Sequence, residues 1–238
     1  MKKLLILTVF FFAGTTAKSQ ILITLLLGDK LNSDKLEFGL DGGLNLSDIQ
    51  GLASGRDAGR FNIGFYFDFK LKNPAWMVHT GIIVKSTMGS KEVDVYDLGD
   101  PDLNAAFVGG SVDRRLSYFN LPVLMKYRFK NNFTAEAGPM FGVMNKSVDE
   151  FTNEVKDKED LKYRLKIRDR YHPIDAGLMV GLGYRLLAGN GMNLGVRYYL
   201  GLIDITVDDS IPSQFNRSVY FVVGIPIGAG KKSPKEKN

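Results

Sequence analysis

Residues 61–71 read Phe61-Asn62-Ile63-Gly64-Phe65-Tyr66-Phe67-Asp68-Phe69-Lys70-Leu71. Every odd position in this stretch is apolar, and the even positions are mostly polar or glycine. Successive side chains of a β-strand point to opposite faces, so this spacing predicts a strand with one continuous apolar face.

Seven further stretches show the same alternation with a period of two. Together the eight stretches are 36–46, 61–71, 76–85, 118–129, 133–143, 174–185, 193–202 and 219–227. Each supplies about the 9–11 residues that a tilted strand needs to cross a bilayer, and bacterial single-chain barrels have an even number of strands. The chain is therefore predicted to be all-β: an eight-stranded, antiparallel, up-and-down transmembrane β-barrel with its apolar faces toward lipid.

The predicted connections differ in length. Short ones occupy 72–75, 130–132 and 187–191, and long ones occupy 47–60, 86–116, 145–172 and 203–217. Outer-membrane barrels have short periplasmic turns and long extracellular loops. This pattern predicts an integral outer-membrane protein whose N- and C-termini are periplasmic.

Aromatic residues recur at the strand ends beside the short turns. These are Phe69, Trp76, Tyr127, Phe129, Phe133 and Tyr184. Aromatic rings are favoured at membrane interfaces, so these residues are predicted to form a periplasmic girdle. The alternative is the ordinary preference of aromatic residues for strands.

The chain begins with a segment typical of secretion. Lys2 and Lys3 precede an apolar run, and Ala17 and Ser19 have the spacing of a signal-peptidase site. We predict a signal peptide at 1–19, an N-terminal periplasmic-side segment at 20–35, the barrel at 36–228 and a disordered polar tail at 229–238. An uncleaved membrane anchor is the alternative, although its apolar run is shorter than the roughly 20 residues that a spanning helix needs.

Composition excludes several functional classes. Cleavage after Ser19 would leave 28 basic and 26 acidic residues, a net charge of +2 that does not indicate nucleic-acid binding. The chain has no cysteine and only two histidines, His79 and His172, so neither a disulfide framework nor a metal centre is expected. No cofactor is predicted.

Many polar residues fall on the face opposite the apolar one. The charged members of this predicted interior plug are Glu37, Asp41, Asp68, Lys70, Lys85, Lys126, Arg128, Glu136, Asp175, Arg185 and Arg197. An eight-stranded barrel is just wide enough to be filled by side chains, and buried charges must pair. A plug is therefore predicted, with a small solute channel as the alternative.

The third long connection has one basic face, formed by Lys162, Arg164, Lys166 and Arg168. Two interpretations remain open: a solvated hairpin paired with the acidic stretch 149–160, or a surface that contacts anionic lipid or a partner. The apolar positions shift by one residue after this stretch, which predicts a β-bulge near His172-Pro173.

Candidate catalytic groups are sparse. His172 has Asp175 nearby in sequence and Ser147 across the predicted hairpin, which would suit a lipid-modifying enzyme at the outer rim. No nucleophile motif or metal signature accompanies them, so the chain is not expected to be an enzyme. The acidic loop residues from Glu92 to Asp102 could ligate Ca²⁺, but their spacing does not match an EF-hand.

Three segments resemble one protein family. They are Glu37-Phe38-Gly39-Leu40-Asp41-Gly42-Gly43-Leu44-Asn45, Phe119-Asn120-Leu121-Pro122-Val123-Leu124-Met125-Lys126-Tyr127 and Gly177-Leu178-Met179-Val180-Gly181-Leu182-Gly183-Tyr184. With them, the chain is similar to the PorT-like outer-membrane β-barrel proteins of Bacteroidota, often described as porin-like. The resemblance implies an outer-membrane barrel, and the family's namesake is associated with a secretion machine. A fold shared with that namesake does not by itself transfer its role. We expect a structural or partner-binding role, as an accessory subunit of a membrane assembly, in contact with outer-membrane lipid.

Overall fold

The computed structural model describes residues 33, 35–154, 161–186 and 191–227. Eight strands of nine to 21 residues form the main sheet. Their bounds are β1 (Leu36–Gln50), β2 (Arg56–Lys70), β3 (Trp76–Met88), β5 (Ser111–Arg128), β6 (Phe133–Asn153), β8 (Ile174–Arg185), β9 (Asn193–Gly201) and β10 (Phe215–Pro226). The smaller elements are β4 (Ser90–Lys91), α1 (Pro101–Ala106), β7 (Leu161–Lys166) and a 3-10 turn (Arg168–Arg170).

The predicted signal peptide, all but two residues of segment 20–35 and the tail 229–238 lie outside the described residues. Those three expectations therefore stay predictions. No helix in the described part of the chain is long and apolar enough to cross a membrane.

The eight strands close into a ring in which all neighbours are antiparallel. β1 pairs with β2 along one edge and with β10 along the other, so the first and last strands form the closing seam. Intervening strands pair in the order β2-β3-β5-β6-β8-β9-β10. The predicted eight-stranded up-and-down barrel is confirmed.

Alternation along each strand gives the barrel two different faces. The outward face is exposed and apolar, and we call it the apolar belt; it includes Leu40, Leu44, Phe61, Ile82, Phe119, Leu121, Phe141, Leu178, Val180, Leu182, Val196, Phe221 and Ile225. Inward side chains such as Tyr66, His79, Lys126 and Arg197 are buried. Soluble proteins rarely expose so large a contiguous apolar surface, which indicates contact with lipid.

The barrel has two dissimilar ends. At the turn end, strands are joined through residues 71–75, 129–132 and 186–192, and at the loop end through 51–55, 92–110, 154–173 and 202–214. The predicted long connections 47–60, 86–116 and 145–172 were too long, because β1, β5 and β6 continue beyond the apolar belt. Backbone pairing persists there although the outward residues no longer need to be apolar.

A register shift between β3 and β5 moves one predicted interior residue to the outside. The shift falls between Ile83 and Ser86, and Val84 and Lys85 are both exposed. The Lys85 ammonium lies 5.9 Å from the ring centroid of Phe61 on the outer face. Lys85 was therefore wrongly placed in the plug, because a bulge interrupts the period of two.

The bulge predicted near His172-Pro173 is also wrong. β7 and β8 both pair with β6, and the chain between them leaves the sheet through the 3-10 turn. Tyr171 then forms an isolated bridge with Thr206. This excursion, rather than one extra residue in a strand, accounts for the change in parity.

Candidate functional site

Six strands each place one ionisable side chain at the centre of the barrel. We call this set the central charge cluster: Asp41, Asp68, His79, Lys126, Glu136 and Arg197, all nine-tenths or more buried. Lys126 Nζ lies 2.9 Å from Asp68 Oδ2, and Arg197 Nη1 lies 2.9 Å from Asp41 Oδ2. Arg197 Nε also binds Glu136. Charges removed from water need such partners, because an unpaired buried charge is costly.

The hydrogen bonds of His79 define its protonation. Its Nδ1 lies 2.6 Å from Asp68 Oδ1, and its Nε2 lies 2.9 Å from Arg197 Nη2. Arginine can only donate, so Nε2 is the acceptor and Nδ1 carries the proton that is donated to Asp68. His79 is therefore a neutral bridge between a carboxylate and a guanidinium.

A second ion pair lies nearer the turn end. Arg185 Nη1 donates to both carboxylate oxygens of Glu37, at 2.9 and 2.8 Å, and Tyr66 Oη donates to Glu37 at 3.1 Å. Lys70 and Arg128 are half-buried at the same end. All charged residues of the predicted plug except Asp175 and Lys85 therefore lie in the half of the barrel nearer the turn end, which we call the turn half; the other half is the loop half.

The loop half of the interior is mainly apolar and aromatic, which sequence reasoning did not predict. Its buried members are Ile49, Met88, Leu116, Tyr118, Leu124, Met140, Met144, Ile167, Tyr171, Met179, Tyr199, Ile205, Tyr220 and Val222. Inward tyrosine and methionine at alternate positions were the available signal in the sequence, but a barrel interior was expected to be polar.

Beside the central charge cluster the structure leaves a cavity of about 20 Å³, which has room for about one water molecule.

The connections at the loop end fold into a compact cap. Val93, Phe107, Val112 and Phe151 form its buried apolar core. Arg114 on β5 and Asp149 on β6 lie opposite each other on these neighbouring strands and form a two-point pair, at 2.8 and 2.6 Å. We call residues 92–110 with the ends of β5 and β6 the loop cap.

Two hydroxyls extend this ion pair, and the one on Tyr96 links the 92–110 connection to β6. Arg114 Nη1 donates to Tyr171 Oη at 3.0 Å, and Tyr96 Oη donates to Asp149 Oδ2 at 2.7 Å. Burial raises the pKa of the Tyr96 hydroxyl, and the charge of Asp149 raises it further. Tyr96 therefore stays protonated and can donate this hydrogen bond at physiological pH.

The acidic loop residues serve local structure. Asp100 caps α1 by accepting from the backbone amides of Asp102 and Leu103, at 2.9 and 3.1 Å. Asp97 accepts from Asn104 at 2.6 Å, and Glu92 pairs with Arg56 at 3.1 Å. The described residues contain no group of three His, Cys, Asp or Glu side chains that could hold a metal ion.

β6 and β7 form a hairpin that stands beyond the apolar belt and carries the basic residues. We call Lys162, Arg164, Lys166 and Arg168 the basic hairpin face, and all four side chains are exposed. Arg164 pairs with Glu150, as the solvated-hairpin interpretation expected. Asp149 instead turns inward to Arg114, and residues 155–160 of the acidic stretch lie outside the described part of the chain.

The candidate catalytic residues have different environments. His172 is exposed, whereas Ser147 and Asp175 are 2% and 0% exposed. Asp175 accepts from Asn216 at 2.9 Å. Ser147 Oγ has no hydrogen-bond partner among the described residues, so His172 does not contact it as the base of a serine nucleophile would in this structure.

The predicted aromatic girdle lies on the outer face at the turn end. Trp76 and Tyr127 have ring centroids 4.8 Å apart, as do Tyr127 and Phe129, and Phe133 and Tyr184 are 5.0 Å apart. Phe69 stacks on Phe67. The structure therefore gathers these rings in one band.

Asp204, in the connection 202–214, illustrates how the loop end depends on pH. Its Oδ1 accepts from the backbone amides of Thr206 and Gln214, both at 3.0 Å. Burial opposes ionisation, but these hydrogen bonds outweigh it and lower the pKa of Asp204 from 3.8 to about 2. The carboxylate therefore stabilises the connection above about pH 4, and this stabilisation disappears as the pH falls through about 2.

We expect the amide protons of Thr206 and Gln214 to lose their protection from hydrogen exchange between about pH 4 and pH 2. Amide exchange measured by NMR on the folded barrel would show this. In Asp204→Asn, the protection should be weaker and should not change over this pH range. A wild-type profile that stays flat in the same range would contradict the assignment.

A family model described as outer membrane protein beta-barrel domain matches residues 29–207 of the chain. No curated protein sequence matches this chain. Among solved structures, Ail, the attachment invasion locus protein of Yersinia pestis, is 10% identical with a TM-score of 0.40, covering 81% of this chain and 97% of Ail. Neisserial surface protein A is 11% identical to this chain, with a TM-score of 0.38. The match covers 81% of this chain and 96% of the neisserial protein. Identities this low transfer no ligand or partner to this chain.

Proposed function

The chain belongs to the outer membrane protein beta-barrel domain family and is an integral outer-membrane protein, and we propose that it is a closed barrel that presents its loop end to a binding partner. The observation that supports this proposal most directly is that the interior is filled with side chains while the basic hairpin face projects beyond the apolar belt. The role is structural or partner-binding, as an accessory subunit of a membrane assembly such as a secretion machine. Catalysis and a bound cofactor form no part of this proposal.

The interior supports a closed barrel over a solute channel. Ion pairs fill the turn half, and bulky side chains such as Tyr118, Met140 and Tyr220 fill the loop half. Opening a path would require at least the pairs of Arg197 with Asp41 and Glu136 to break. We therefore expect no discrete conductance steps in planar bilayers.

We also propose an orientation of the barrel in the membrane. The turn end, with its aromatic girdle, faces the periplasm, and the loop cap faces the exterior. β1 begins and β10 ends at the turn end, so both termini are periplasmic in this orientation. A secretion signal at 1–19 would deliver the chain to that side.

The basic hairpin face is the surface proposed to contact the partner. Lys166 and Arg168 are exposed, and Arg170 lies 4.8 Å above the Tyr96 ring. Exposed charges at the rim of an interface chiefly set the encounter rate and the choice of partner. We therefore infer a protein partner with an acidic surface.

The test is a pull-down of tagged full-length protein from its native outer membrane in mild detergent, quantified by mass spectrometry. Lys166→Glu combined with Arg168→Glu should reduce recovery of the partner by about tenfold or more, since like charges then face each other. The matched control reverses two exposed lysines at the turn end, Lys72→Glu with Lys130→Glu, and should recover the partner as the wild type does.

Recovery of the wild-type barrel without any stoichiometric protein would contradict the partner-binding role. If anionic lipid is recovered instead, and is lost in the Lys166→Glu/Arg168→Glu variant, the basic hairpin face would be a lipid-contact surface. A partner that a known secretion machine contains would support the PorT-like resemblance. Nucleic acid is not an expected partner.

A further inference from the structure

One strand of the basic hairpin has an open backbone edge. β7 (Leu161–Lys166) pairs with β6 alone among the described strands, so no described strand adjoins its second edge. Each of the eight barrel strands, in contrast, has a neighbour on both sides. An open edge presents a row of N–H and C=O groups, which is a template for pairing with another chain.

The hydrogen-bond pattern of the hairpin shows which backbone groups face this edge. The amide of Ile167 donates to the carbonyl oxygen of Ser147 at 3.3 Å, one step beyond the opposed residues Lys166 and Val148. Hydrogen-bonded and non-hydrogen-bonded pairs alternate along an antiparallel ladder. The N–H and C=O groups of Arg164 and Lys166 therefore point away from β6, and no backbone group of the described residues bonds to them there.

The side chains of β7 alternate between two environments. Tyr163 and Leu165 are half-buried against the apolar core of the loop cap. Arg164 and Lys166 are exposed on the opposite face of the hairpin. Since side chains of neighbouring strands share these faces, a strand added at this edge would have apolar neighbours on one face and cations on the other.

Charge pairs already cross the sheet as far as this edge. Asp113 of β5, Glu150 of β6 and Arg164 of β7 are successive cross-strand partners in one row. Arg115 bridges Asp113 and Glu150, at 2.6 and 3.0 Å, and Glu150 pairs with Arg164. The Arg164 side chain is still 69% exposed, so a carboxylate on an added strand could extend this row.

The same charges determine which chain fits the edge. If two β7 strands paired with each other, cations would lie opposite cations, and like charges in that position are destabilising. The basic residues thus protect the edge from pairing with a second copy of this chain. An extended segment with an acidic residue at every second position meets no such repulsion.

We propose that the partner binds by strand addition, with an extended segment of alternating acidic and apolar residues pairing with β7 along Arg164 and Lys166. In this mode main-chain hydrogen bonds supply affinity, and the alternate side chains supply specificity. The inference rests on the proposed partner-binding function. It adds the binding mode and the chemistry of the bound segment.

The test measures the binding of two synthetic peptides to the full-length barrel in detergent. One peptide alternates glutamate with valine, and its matched control alternates lysine with valine. The glutamate peptide should bind and should slow hydrogen exchange at the amides of Arg164 and Lys166, because these amides enter the new ladder. The lysine peptide should do neither.

Two variants separate the contribution of the backbone from that of the charge. Arg164→Pro and Arg164→Gln remove the same positive charge, but only proline removes the outward N–H group, at an edge position where proline is tolerated. Arg164→Gln should weaken binding about threefold or less, because exposed charge pairs contribute little. Arg164→Pro should weaken it by a further factor of about ten, the effect of losing a hydrogen bond.

Equal affinities of the two variants would overturn strand addition. Wild-type protein that does not bind the glutamate peptide, or binds it without slower exchange at Arg164 and Lys166, would also overturn it, even if a variant fails to fold. The pull-down tests the proposed function separately. A partner that is recovered by the wild type and lost in Lys166→Glu/Arg168→Glu would uphold that function even where strand addition fails.

Discussion

Arg197→Met is expected to lower the free energy of unfolding by about 3–5 kcal/mol, the usual cost of breaking a buried charge pair by removing one partner. Arg197 donates to Asp41, Glu136 and His79 at once. The methionine would fill a similar volume but would leave two carboxylates facing each other in the interior. Urea unfolding of the reconstituted barrel, followed by the fluorescence of the single tryptophan, Trp76, would measure the loss.

Two further variants make this result specific. Arg56→Met removes an exposed arginine whose pair with Glu92 is open to solvent, and it should leave stability unchanged within error. Adding Glu136→Gln to Arg197→Met removes one of the stranded charges and should recover part of the loss. The central charge cluster would not be a stabilising unit if Arg197→Met unfolded at the same urea concentration as Arg56→Met.

Gly43→Ala is expected to prevent the closing seam from forming, or to destabilise it by about 3 kcal/mol, at the upper end of the usual range for overpacking. A Cβ atom at this position would lie 1.8 Å from the backbone oxygen of Phe221 on β10. Neither the oxygen nor the β1 backbone can move away without breaking the pairing of the seam. Loss of the heat-modifiable, fast-migrating band on gels would report the failure.

The adjacent glycine supplies the matched control. At Gly42, which faces the opposite side of the strand, the atom nearest to an added methyl group would be the backbone oxygen of Asn62 at 3.8 Å, an ordinary contact. Gly42→Ala should therefore fold with unchanged stability. Equal behaviour of the two alanine variants would show that the seam is not packed as closely as the structure indicates.

Sequence alternation is sufficient to predict the eight strands, because lipid on the outside imposes an apolar residue at every second position. The run from Phe61 to Leu71 illustrates this: nearly all of it lies in β2, with its apolar residues outward and Asp68 inward. The pairing of Asp68 with Lys126 requires knowledge of which strands are neighbours across the interior. Alternation assigns residues to a face but contains no information on contacts across a barrel.

The sequence-based predictions are wrong in segments where lipid contact no longer requires an apolar residue at every second position. Lys85 is misplaced because a bulge changes parity without a compositional sign. The ends of β5 and β6 are predicted as loops, because beyond the apolar belt both faces contact water or the loop cap. The apolar loop half of the interior, with Leu124 and Met179, is missed because inward apolar residues were not expected in a barrel whose interior is polar.

The seam between β1 and β10 also constrains how the protein can be made. Gly39 pairs with Pro226 and Gln50 with Phe215, so the ring closes only between segments near opposite ends of the chain. Until the final strand arrives, an incomplete sheet has two open edges, which are templates for aggregation, and such distant pairing forms slowly. Biogenesis of this barrel therefore has its slowest and most vulnerable step last, and assembly factors that shield the edges of β1 and β9 would protect it most.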